Sequence, residues 1–232
     1  MDDRRSDLTL FYELLNVLDR NSGGHRLLSQ SAGHSGWPTR GVYFFMEHGE
    51  DRTDSGSGLR IVRVGTHGLK SGSSSSLWQR LAQHRGTSTS GGGSHRGSIF
   101  RLLVGTTLPN RSAFPTWGQG STAKGEIRVQ EHTAEQQVSA LIGAMPFLHL
   151  NVDDAPGPDS LRGYIERNSI ALLSNYQKPP LDPPSAEWRG YRCDRERVRL
   201  SGLWNQNHVN EPYDPVFLQT LEALIEQRTP TL

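Results

Sequence analysis

Gly41-Val42-Tyr43-Phe44-Phe45, Leu59-Arg60-Ile61-Val62-Arg63-Val64-Gly65-Thr66-His67-Gly68 and Leu77-Trp78-Gln79-Arg80-Leu81-Ala82-Gln83-His84-Arg85 follow one another between residues 41 and 85. The first two pieces are short and rich in β-branched and aromatic residues, and the polar run Gly49 to Gly58 divides them, which predicts two strands joined by a turn. The third predicts a helix. Leu77 and Leu81 fall four apart on one face, and Arg80 and His84 four apart on the neighbouring one. Ser76 is placed to cap it. A hairpin followed by a helix that offers an arginine and a histidine side by side can hold a phosphate.

The charge pattern points the same way. Between Asp54 and Glu126 the chain has no Asp or Glu, yet it carries Arg60, Arg63, Lys70, Arg80, Arg85, Arg96, Arg101, Arg111 and Lys124, with His67, His84 and His95. The rest of the chain holds 16 basic and 24 acidic residues, so a net charge of +1 conceals a strong asymmetry. This predicts a basic face suited to a polyanion. No apolar run approaches the ~20 residues of a membrane helix. Residues 1–7, which hold three acids, do not lead into an unbroken apolar segment of the signal-peptide kind. Cys193 is the only cysteine, which excludes an internal disulfide and a cysteine-based zinc site and suggests a reducing, cytoplasmic setting.

Outward from this tract, residues 7–20 predict an amphipathic helix capped by Asp7. Residues 86–97 are dominated by Ser, Thr and Gly and predict a mobile loop. Ile99 to Val104 is apolar and fits strand or helix. A helix is expected over 123–145, a third strand over 147–152, and a helix from Asp159 or Ser160 to Asn175. On that last helix Glu166 shares a face with Ile170 and Leu173. A carboxylate there needs a partner; Arg162, four residues earlier, would be an ordinary one, and a metal ion the alternative. The prolines at 179, 180, 183 and 184 predict an extended crossing, Trp188, Tyr191 and Trp204 predict packing back onto the core, and a final helix is expected over 215–227 behind Asp214. His208, Glu211 and Asp214 offer a rival metal set, although their spacing matches no strong pattern and a polar turn is the simpler reading.

Read together, Gly41-Val42-Tyr43, Arg63-Val64-Gly65, Arg80 with His84, Glu166 and Asn175 resemble the GIY-YIG nuclease domain over residues 41–176, with Arg63 in place of the second tyrosine. The resemblance implies an α+β fold with a small three-stranded antiparallel sheet flanked by helices, and it favours a helix over 99–104. The expected organisation is a helical extension (1–40), the nuclease-like core (41–178) and a C-terminal extension (179–232) packing on it. The implied activity is metal-dependent hydrolysis of phosphodiester bonds in DNA by an endonuclease, of restriction or defence type. A structure-specific DNA or RNA nuclease and a non-catalytic nucleic-acid-binding module are the alternatives. Tyr43, Arg80, His84 and Glu166 would carry the chemistry. Glu166 would hold one Mg²⁺ or Mn²⁺, Arg80 would grip the phosphate, and Tyr43 or His84 would manage the proton of the attacking water. Arg63, His67, Lys70, Arg85, Arg96 and Asn175 would contact the nucleic acid, most simply duplex DNA, with Asn168 as an alternative to Asn175.

Overall fold

The computed structural model describes residues 3–227; residues 1–2 and 228–232, the outer ends of the two expected extensions, lie outside the described residues. The elements are α1 (Asp3–Asn21), β1 (Arg26–Leu27), β2 (Gly41–Asp51), β3 (Leu59–Gly65), α2 (Leu77–Arg85), α3 (Ile99–Gly105), α4 (Gly125–Gly143), β4 (Pro146–Asn151), α5 (Leu161–Leu173), α6 (Glu196–Ser201) and α7 (Phe217–Glu226), with short 3-10 turns between. The fold is α+β.

The sheet has four antiparallel strands in the order β1-β4-β2-β3, one more than the sequence predicts. The extra strand is the two-residue β1, which pairs Arg26 with Phe147 and Leu27 with Pro146. Two residues carry no alternation, so no sequence pattern marks them. The 1–40 stretch thus adds a strand and a helix to the core.

Alternation along β2 sorts side chains to the two faces. Val42 and Phe44 enter one core with α1, α5 and α7; Tyr43 and Phe45 enter the other with α2, α3 and α4. Because both faces are covered, β2 reads as a continuous apolar run. The glycines at the two tripeptides have steric causes. A Cβ on Gly41 would lie 2.3 Å from the Leu150 carbonyl oxygen across the sheet, and one on Gly65 would lie 2.3 Å from the Tyr43 hydroxyl.

The C-terminal stretch closes the outer edge of β3. The Trp204 N–H donates to the Val62 carbonyl at 2.7 Å, and the Asn205 carboxamide takes both backbone groups of Val64, at 3.2 and 2.9 Å. Asp182 accepts backbone N–H bonds from Thr53, Asp54 and Ser55 and so pins the β2–β3 turn.

Two local expectations change. α1 begins before Asp7, whose carboxylate accepts from the Tyr213 hydroxyl at 2.7 Å instead of capping the helix. The 86–97 loop is exposed over residues 87–91 but is anchored at Gly92 and His95, which are buried. Thr87 and Gly92 are joined by a 2.7 Å backbone bond, Gly93 lies against the Arg101 guanidinium, and His95 is buried between Glu135 and the Trp117 ring. The loop lacks apolar residues but packs through polar ones, and its glycines let Arg101 approach.

Candidate active site

Ser76 opens α2 with a full capping box, its hydroxyl accepting from the Gln79 N–H while the Gln79 side chain accepts from the Ser76 N–H. This fixes the helix start, and one turn apart Arg80 faces a cleft while His84 turns inward. His84 Nε2 lies 2.8 Å from the Tyr43 hydroxyl, and neither side chain is exposed to solvent. His84 Nδ1 lies 2.7 Å from Ser98 Oγ, which also accepts the Arg101 N–H at the start of α3. Burial, then the positive charge of Arg80, Arg63 and Arg101, holds the imidazole well below its ordinary pKa, so it is neutral.

Arg63, at the second tripeptide, is buried. Its guanidinium donates to the Trp204 carbonyl and lies 4.9 Å over the Phe100 ring. Burial lowers its pKa; nearby Tyr43 favours the cation, the Arg80 charge opposes it, and Glu166 favours it. The position therefore places positive charge beside the phenol and away from solvent.

The cleft above this pair is about 1410 Å³ in volume, and its walls include His67, Lys70, Arg80 and Glu166. Arg80 is half-buried; it donates to Gln83 at 3.0 Å and to the Gly97 carbonyl at 3.3 Å, and its buried Nε has no partner. Glu166 reaches the cleft from α5, and its Oε1 accepts the Thr66 N–H at 3.1 Å. Burial raises its pKa, against the opposing pull of Arg63, His208, the Thr66 amide and Arg80. Arg162, the partner expected from sequence, does not serve Glu166; it is fully buried and binds Asp154 and the His67 carbonyl. His67 is buried under the cleft wall. Burial, then the Arg162 charge, brings its pKa down to about 4, and its Nε2 is buried without a partner. Lys70 is exposed on the rim.

The structure thus brings Tyr43, Arg63, His67, Lys70, Arg80, His84 and Glu166 together. It places the other three elsewhere. Arg85 donates to the Ser31 carbonyl at 2.6 Å and lies over Trp78, and Arg96 forms a two-pronged pair with Glu131 at 2.6 and 3.0 Å. Asn175 binds Leu181 and Arg4, and Asn168 binds the Tyr164 carbonyl and the Asp214 N–H. Most of the acid-free tract's arginines are likewise spent inside, Arg60 on Glu50 and Arg101 on Glu135, because acids distant in sequence fold back onto them. The expected basic face contracts to the cleft.

The rival set also separates. His208 binds Glu211 at 2.8 Å while Asp214 accepts from Tyr164 and Val216, and no group of three or more His, Cys, Asp or Glu able to hold a metal occurs among the described residues. Ser98 went unnoticed in the sequence. Its position before Ile99-Phe100 marks a helix cap, but its contact with His84 depends on tertiary structure.

A wide cleft thus carries an arginine and a carboxylate on its walls, next to a buried phenol–imidazole pair. The chain belongs to the GIY-YIG domain family, whose sequence model matches residues 2–231. GIY-YIG domains are generally nucleases. No curated protein and no solved structure matched the chain. No helix among the described residues is long and apolar enough to cross a membrane.

Proposed function

We propose that the protein is a metal-dependent endonuclease that hydrolyses phosphodiester bonds in DNA. The observation that carries this reading is the shared cleft of Arg80 and Glu166, with Tyr43 bonded to His84 beneath it.

One divalent ion fits the residues present. Glu166 uses Oε1 on the Thr66 amide, while Oε2 takes no hydrogen bond among the described residues. Burial disfavours the bare anion, so a cation would stabilise it. Glu166 is a single hard oxygen ligand, which suits Mg²⁺ or Mn²⁺, ions that keep several waters. When bound, the ion would act as a Lewis acid toward the phosphate.

The chain's own groups do the rest. Arg80 exchanges Gln83 and the Gly97 carbonyl for two phosphate oxygens, a geometry suited to its planar fork. The reaction also needs water to reach the Tyr43–His84 pair, which is fully buried in the free protein. The phenol oxygen then takes a proton from the attacking water while its own proton passes to His84 Nε2. This requires the tautomer in which Nδ1–H donates to Ser98 Oγ. Arg63, beside the phenol, stabilises negative charge that develops on its oxygen.

The test is Glu166→Gln, assayed on supercoiled, linear, single-stranded and branched DNA and on RNA, with and without Mg²⁺ or Mn²⁺. The variant is expected to fold, to bind DNA at least as well as wild type because a negative charge near phosphate has gone, and to cleave none of the substrates. A variant that still cuts would remove Glu166 from the chemistry.

A further inference from the structure

We infer that the substrate groove continues past Glu166 into a second limb, which holds nucleic-acid backbone on the far side of the scissile phosphate, with Lys70 and Arg167 as its phosphate contacts. The inference rests on the nuclease reading and adds residues and a direction to it.

A second depression of about 540 Å³ adjoins the main cleft and shares Leu69, Lys70 and Glu166 with it. Glu166 therefore stands at a seam with open groove on either side. One wall of the second limb is a single face of α5. Ser160, Gly163, Tyr164 and Arg167 line it, at the i, i+3, i+4, i+7 spacing that aligns side chains along a helix. Gly163 keeps this wall low. Its φ is not in the left-handed region, so the backbone does not demand glycine, and a Cβ would meet only Leu69 at 3.5 Å and Ser160 at 4.0 Å. Glycine in a helix is unfavourable relative to alanine; here it leaves space above the helix.

Charge gives the limb its ligand. The arginines nearby are committed to the protein, Arg162 to Asp154, Arg40 to the Asp154 carbonyl and Arg63 to Trp204. Lys70 and Arg167 are exposed, line the limb, and their side chains make no hydrogen bond or ion pair among the described residues. Besides Glu166 the acid in its lining is Asp159, which precedes α5 while Arg167 lies in the second turn of that helix; two further carboxylates are bonded to lining residues, Asp214 to the Tyr164 hydroxyl and Glu211 to His208. The limb therefore presents two unpaired cations, Lys70 where it meets the cleft and Arg167 on α5, to a groove that adjoins the cleft, which suits a strand of phosphates.

The test uses short DNA duplexes in which one phosphate at a time is made neutral as a methylphosphonate. With wild-type protein, neutralising a phosphate on either side of the cut is expected to slow cleavage. Arg167→Ala should reduce that sensitivity on one side only, the double variant with Lys70→Ala should abolish it there, and the single change should lower the log–log salt slope of DNA binding by about one. Its melting temperature should not change, because the side chain makes no bond to lose. Gly163→Leu, which fills the limb, should produce the same one-sided loss. Variants that keep full sensitivity on both sides, or a wild type sensitive on one side only, would overturn the inference and leave the nuclease reading standing. A wild type that cleaves no DNA with any divalent ion would overturn both.

Discussion

Ser98 shows how much one hydroxyl can decide. It caps α3 and touches His84 Nδ1, so the same oxygen fixes a helix start and the imidazole whose other nitrogen meets Tyr43. Ser98→Ala should lower the rate about 10- to 100-fold, by analogy with the loss of the group that orients a metal-bound histidine through its far nitrogen. The loss should fall on kcat more than on KM, and Ser98→Thr, which keeps the hydroxyl, should restore most of the activity. A pure capping role would instead cost stability, about 1 kcal/mol, and leave kcat alone. Arg63 makes the complementary point. Where a tyrosine was expected from the family pattern, the chain has a guanidinium beside the Tyr43 phenol, and burial confines its charge to the site.

Among the elements, the 86–97 loop departs most from its composition. Its Ser, Thr and Gly content predicts mobility, yet it is anchored where His95, Arg101 and Glu135 converge. Glu135 accepts from the His95 N–H and ring and from Arg101, and these bonds hold its pKa down against burial. Limited proteolysis of wild type should leave the loop intact. Glu135→Ala, which strands the fully buried Arg101 charge, should expose it to cleavage and cost about 3–5 kcal/mol. The contrast marks what the sequence could disclose. β2 and β3 were legible as short runs rich in β-branched and aromatic residues, and α2, α4 and α5 by apolar residues at helical spacing. Ser76 was legible as a cap, and Arg80, His84 and Glu166 by their order. β1 was too short to register. The pairing of Arg96 with Glu131 and of Arg162 with Asp154 was hidden, because a charge in a sequence does not reveal which distant residue will neutralise it.

For the molecule as a whole, burial of neutral imidazoles makes stability depend on pH. An unfolded histidine gains its proton near pH 6.5; folded His67 resists to about 4, and His84 also remains neutral well below its ordinary range. Between those values the unfolded state binds more protons, so stability falls as pH falls from about 6.5. Glu166 and Glu47 oppose this, since their raised pKa values favour proton uptake by the folded form, whereas Glu131, Glu135 and Asp154, held low by their partners, act with the histidines as the pH falls further. His67→Gln should flatten a plot of melting temperature against pH by up to about one proton across that window, and an unchanged slope would show that the imidazole titrates freely. The sheet's borders carry a different consequence. At one border Trp204 and the Asn205 carboxamide occupy backbone groups of β3, and at the other β1 is only two residues long. Neither offers a long open edge on which another polypeptide could extend the sheet. Should two copies of the chain associate, their contact would fall to helices or loops rather than to a continued sheet.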